Sequence, residues 1–128
     1  MAEDTEQPTI WAIRFANRAR ADVLEAEDYF VEKADAEIAR AWSAGLVEET
    51  AKLARYPSIW PLAEENSLFK ETVHRMLYRR TRTGPAYRVL FVLRQSPDDA
   101  PTVGIIHVRR AARAPMTQQE AWEIESSE

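Results

Sequence analysis

Apolar residues recur along this chain with two different periods. Ile10-Trp11-Ala12-Ile13-Arg14-Phe15 is short, rich in β-formers and weakly alternating, which predicts a strand. Asn17 stands where a cap belongs, and a helix follows from about Arg18 to Lys33. Its Ala19, Val23, Ala26 and Phe30 step by three and four residues and make one stripe. Asp35 caps a second helix over about Ala36 to Arg55. The positions Ile38, Trp42, Leu46, Glu49, Leu53 and Tyr56 follow the same spacing, all apolar or aromatic but Glu49. Pro57 ends it. A link this short predicts an antiparallel helical hairpin.

Beyond a turn-rich connector, with 62–68 polar and irregular, the period changes. Phe69 to Tyr78 reads as a strand, and Thr81 to Pro85 as a hairpin loop. Ala86 to Leu93 is almost continuously apolar, which predicts a central strand buried on both faces. Gln95 to Pro101 reads as a second loop and Val103 to Val108 as the last strand. Thr117 with Glu120 three residues later forms a capping-box pattern that opens a short C-terminal helix to about Ile124. The fold class is therefore α+β, in the order β-α-α-β-β-β. The last three strands form an antiparallel meander, and the hairpin covers one face of the sheet. Residues 1–9 read as a loose arm, 10–115 as a single domain, and 116–128 as an acidic helix or tail.

Composition narrows the chemistry. The chain has 128 residues, 45% of them hydrophobic, enough for one core without staples. It has no cysteine, which removes disulfides, thiolate catalysis and Cys-ligated zinc. Its two histidines, His74 and His107, have no acidic partner at ligand spacing, so neither a protein-built metal site nor a cofactor is expected. The opening MAEDTEQPT has no apolar stretch of a secretory signal, and no apolar run is long enough for a membrane span.

The net charge of −4 hides a strong dipole. Residues 69–113 hold ten Lys/Arg against three acids, a balance of +7, whereas residues 1–68 balance at −7 and residues 114–128 hold four acids and no base. Nucleic acid, or an acidic partner, is thus expected at the sheet and not at the acidic helices.

The order of elements and three strand motifs, Val73-x-Arg-Met-Leu-Tyr78, Ala86-Tyr-Arg-Val-Leu-Phe91 and Ile105-Ile-His-Val-Arg-Arg110, resemble the RelE/ParE superfamily of type II toxin–antitoxin toxins, also called plasmid stabilisation proteins. The resemblance covers roughly residues 10–115. It implies a small bacterial cytoplasmic toxin neutralised by a cognate antitoxin that wraps it, as a homodimer or a toxin–antitoxin hetero-oligomer. ParE-like members poison DNA gyrase. RelE-like members cut messenger RNA on the ribosome with basic and tyrosine side chains of this sheet. They commonly carry a tyrosine or histidine near the C-terminus, where this chain offers Met116, Trp122 and glutamates and has no tyrosine after Tyr87. A ParE-like toxin is therefore ranked first, a RelE-like nuclease second, and a silent toxin-fold protein kept for antitoxin binding third.

Metal-free RNA cleavage needs a base, a cation and an acid. Arg88, Arg75 and His107 are the candidates for those roles if the chain is a nuclease. His74, Tyr78, Arg79, Arg80, Arg82, Arg109, Arg110 and Arg113 are the candidates for target or nucleic-acid contact. Strand alternation puts His107 and Arg109 on one face, and Arg88, Arg75 and Arg109 are expected on an open concave side. The competing reading pairs Arg75 and Arg88 with acids of the helices and makes His107 a satisfied, half-buried histidine. Trp60 is either a contact residue or packing over the end of the hairpin, the latter favoured.

Overall fold

The computed structural model describes residues 9–127, so the arm expected over 1–9 lies, but for Thr9, outside the described residues. Strand β1 (Ala12–Phe15) leads into helices α1 (Asn17–Lys33) and α2 (Ala36–Thr50). Strands β2 (His74–Tyr78), β3 (Tyr87–Ser96) and β4 (Asp99–Arg110) follow, and helix α3 (Gln118–Ser126) closes the chain. The sheet order is β1-β4-β3-β2. The meander β2-β3-β4 is antiparallel, and β1 lies parallel on β4, with Phe15 opposite Ile105.

Helix boundaries follow local chemistry. The Asp35 carboxylate accepts the Ile38 N–H at 2.8 Å and starts α2. Thr117 and Glu120 form the reciprocal capping box of α3. Asn17 does not cap α1: Ala16 holds that position, and Asn17 is the first helical residue. Helix α2 stops at Thr50 and tightens into a 3-10 turn over Ala51–Ala54. Tyr56, expected on its stripe, sits instead in the left-handed region at φ 53, exposed, before Pro57. Proline at 57 removes the donor that another helical turn would need.

The strands depart from expectation at their ends. Residues 69–73 do not join the ladder, because the Val73 N–H goes to the Asn66 side chain at 2.7 Å and the Lys70 N–H to Glu125 at 2.8 Å. The expected loop over 95–101 is a tight hairpin instead, with Ser96 opposite Asp99.

Two apolar clusters flank the sheet. On one face Ala19, Ala26 and Phe30 of α1 and Ala39, Trp42 and Leu46 of α2 pack on Met76, Tyr78, Tyr87, Val89, Phe91 and Ile105. Gly45 brings α2 close: a Cβ there would lie 2.3 Å from the Tyr78 hydroxyl, which donates to the Trp42 carbonyl at 2.7 Å. The opposite face, expected open, is covered as well. Met116, together with Ala121 and Ile124 of α3, packs with Ala63, Phe69 and Val73 on Leu90, Val92 and Ile106. The physical reason is the continuous apolar run of β3, which must be dried on both sides.

Candidate functional site

At the upper end of β3 and β4 the second face changes from apolar to ionic. Arg88, opposite Arg109 in the ladder, turns its guanidinium onto Glu65 in a two-pronged pair, and Glu64 lies 3.5 Å from the same group. The partners come from a 3-10 turn over Glu64–Leu68, not from the helical hairpin. Arg88 and Glu65 are 8% and 6% exposed, so the pair is removed from solvent. Burial by itself raises the Glu65 carboxyl pKa. The hydrogen bonds from Arg88 and from its own backbone, with the charges of Arg88 and Arg109, outweigh that and hold it below its ordinary value.

Arg109 is also buried. It donates to the Ala114 carbonyl at 2.8 Å and lies 3.6 Å from the Glu120 carboxylate. Burial lowers its pKa, against the opposing pull of Glu120. The same Glu120 carboxylate caps α3 and accepts from Arg113 at 2.8 Å. One acid therefore starts the helix and ties it to two arginines.

His107 does not join this cluster. The pairing is unbroken from His107 to Arg109, opposite Leu90 to Arg88, and the register shift at Ile106 lies before both; the two side chains nonetheless find different partners. His107 is fully buried with Nδ1 2.6 Å from Asp22 of α1, and the same carboxylate oxygen accepts the Val108 N–H at 3.0 Å. Nδ1 must carry the proton in this bond, because the carboxylate only accepts. Arg18 approaches the other oxygen of Asp22 at 3.4 Å.

His74 and Tyr78, expected as contact residues, are buried. His74 donates to the Trp60 carbonyl at 2.8 Å and stacks on Phe91, and Trp60 packs against the hairpin-side core. Tyr78 is fixed by its bond to Trp42, and burial raises its pKa. Both lie on the face that the helices dry. Arg75 is half-buried, with no side-chain partner among the described residues. Arg79, Arg80, Arg82 and Arg110 are exposed, Arg79 donating to the Gly84 carbonyl and Arg110 lying 5.3 Å over the Tyr29 ring. A groove of about 620 Å³ between α1 and the end of β4 is lined by Glu25, Tyr29, Tyr87, Arg110 and Arg113, among others.

The residues missed from sequence are Glu65, Glu120 and Asp22. Asp22 carried a usable signal: it falls three residues after Ala19 and four before Ala26, a lone acid on an apolar stripe. Glu120 was legible as a cap but not as an arginine partner. Glu65 sits in a polar connector with no periodicity to place it.

One solved structure, described as the chromosomal ParDE toxin–antitoxin system from P. aeruginosa, contains a chain that superposes with a TM-score of 0.59. The overlap covers 79% of this chain and 96% of that one, at 16% sequence identity. The likeness is one of fold: this chain shares the architecture of that chain. No protein-family model and no curated protein sequence matches the chain. The ionic cluster lies on the sheet face turned away from the helical hairpin. Among the described residues, no helix is long and apolar enough to cross a membrane, and no three metal-ligating side chains gather.

Proposed function

We propose that this chain is the toxin of a bacterial type II toxin–antitoxin module, acting in the cytoplasm in the ParE manner. It binds a protein target such as DNA gyrase, arrests growth, and is neutralised by a cognate antitoxin. The observation that carries the choice against a nuclease is the state of Arg88 and Arg109. Both cations are buried and already answered by the carboxylates of Glu65 and Glu120. His107 is held separately on Asp22. A metal-free ribonuclease needs its base, cation and acid to converge on one accessible phosphate, and this arrangement supports the opposite. The exposed arginines Arg79, Arg80, Arg82 and Arg110 remain as the contact surface for an acidic target.

Induced expression without antitoxin in a bacterial host tests this. The expected result is growth arrest with DNA-damage signalling and long cells, while bulk messenger RNA stays intact. Rapid codon-linked cleavage of translated messages would reverse the assignment in favour of a RelE-like nuclease. Normal growth at high soluble expression would leave the antitoxin-binding role alone.

A further inference from the structure

Exposed arginines gather at the end of the sheet where β2 and β4 finish. Arg79, Arg80 and Arg82 sit on the loop between β2 and β3, and Arg110 is the last residue of β4. The fold joins the two segments. The Ala111 N–H donates to the Ala86 carbonyl at 2.8 Å, and Arg79, Pro85, Ala86, Arg110 and Ala112 line one open groove of about 350 Å³. None of these arginines forms an ion pair among the described residues. Two of them are held in place. Arg79 donates to the Gly84 carbonyl at 2.9 Å, across the turn that the Gly84 N–H closes on the Thr81 carbonyl, and Arg110 lies 5.3 Å over the Tyr29 ring. Like charges gathered on one edge repel one another, and an anion between them relieves that repulsion.

The residues around the arginines say which anion fits. A protein interface is anchored by a buried aromatic or aliphatic side chain at its centre. Between these arginines stand Thr81, Thr83, Pro85, Ala111 and Ala112, none of them a large apolar anchor. Arginines, hydroxyls and backbone N–H groups are the set that contacts a phosphate backbone. A single strand would need open aromatic faces for its bases. Tyr78 and Tyr87 are buried, and Tyr29 already carries Arg110. Glu25, Glu48 and Glu49 stand on the two helices beside this end and repel a polyanion from that side.

We propose that this end of the sheet binds the phosphate backbone of duplex DNA. Arg79 and Arg110, on the two sides of the groove, make forked contacts to phosphate, and Arg80 and Arg82 add flanking charge. The toxin reading enters only in why DNA is at hand: a toxin directed at DNA gyrase meets its target on DNA and touches both. Growth arrest reads the toxin assignment and DNA binding by the purified chain reads the site, so the two fail separately.

The test is fluorescence anisotropy of a short labelled DNA duplex with the full chain across a salt series. The chain is acidic overall, with a net charge of −4, so binding has to come from a local patch. Neutralising roughly four phosphates predicts an affinity that falls about 150-fold between about 50 and 200 mM salt. Arg79→Ala with Arg110→Ala should cut that fall to about tenfold and weaken binding at every salt concentration, with the melting temperature unchanged because both side chains are exposed. Arg79→Lys with Arg110→Lys keeps the charges and should keep the steep fall. The single strand of the same sequence should bind more weakly than the duplex. Absence of duplex binding at low salt, or the same salt dependence in the alanine double variant, would overturn the proposal. So would tighter binding of the single strand, or of a polyglutamate peptide, at equal salt.

Discussion

Toward the helical hairpin, β3 and β4 present Tyr87, Val89, Phe91, Val103 and Ile105, and the space is filled by Trp42, Phe30 and Leu46. Toward α3 the same two strands present Leu90, Val92 and Ile106, and above them Arg88 and Arg109. The first face is dry and held by aromatic and aliphatic contact, with ring pairs such as Trp42 and Tyr87 at 4.9 Å. The second is dry at one end and ionic at the other. The difference teaches where specificity sits. Apolar contact tolerates sliding and substitution, whereas a buried guanidinium accepts one partner geometry and penalises every other. The hairpin supplies adhesion, and the carboxylates of Glu65 and Glu120 decide how the connector and α3 lie across the sheet.

The comparison is broken most sharply by truncating one member on each face. Trp42→Ala leaves a large void and should cost about 3–5 kcal/mol in chemical denaturation. Arg88→Ala should cost about as much, roughly 3–5 kcal/mol, because it strands the Glu65 charge. The two losses differ in how they are repaired. Replacing both ionic partners, Arg88→Met with Glu65→Leu, should recover most of the stability, while no single change opposite Trp42 refills its space. If Arg88→Ala unfolds at nearly the same denaturant concentration as the parent, the pair behaves like a surface contact and the contrast between the faces fails.

Acid separates the faces without mutation. The native pKa of Glu65 lies below its ordinary value of 4.5, so the unfolded chain binds the proton first as the pH drops. Its contribution is complete above that value and is lost as the pH falls through the depressed native value. Thermal melts across this range should show a slope that Glu65→Gln flattens and Trp42→Ala leaves in place. The smallest effect is at a polar bond on the hairpin face. Tyr78→Phe removes the hydroxyl that donates to Trp42 and should cost about 1 kcal/mol, measured by the shift of the melting temperature.

Much of the fold was legible because periodicity survives in single elements. The stripe through Ala19, Val23, Ala26 and Phe30 gave α1, and Ala86 to Leu93 read as a central strand, which the sheet has over Tyr87–Ser96. That reading also contained the closed second face, since a strand buried on both sides leaves no open concave surface. The expected exposure of Arg88 and Arg109 ignored it. Gln95 to Pro101 looked like a loop from its polar residues, yet exposed strands of a hairpin need no apolar content when backbone pairing carries them. Partners of the arginines lay beyond reach because Glu65 is brought in by a 3-10 turn whose path depends on the packing of Ala63 and Phe69. One residue of β4, Ile106, stands unpaired at a register shift, and beyond it the pairing from His107 to Arg109 is regular, as alternation expects.

Gly45 and Tyr78 form a lock that opens from one side only. The missing side chain on α2 and the hydroxyl on β2 occupy one space, so alanine at 45 collides with the tyrosine before it meets anything else. A chain drifting in sequence could gain a larger residue at 45 only after, or along with, a smaller one at 78. The effects of Gly45→Ala and Tyr78→Phe are therefore history-dependent: the order in which they are acquired decides whether the intermediate folds.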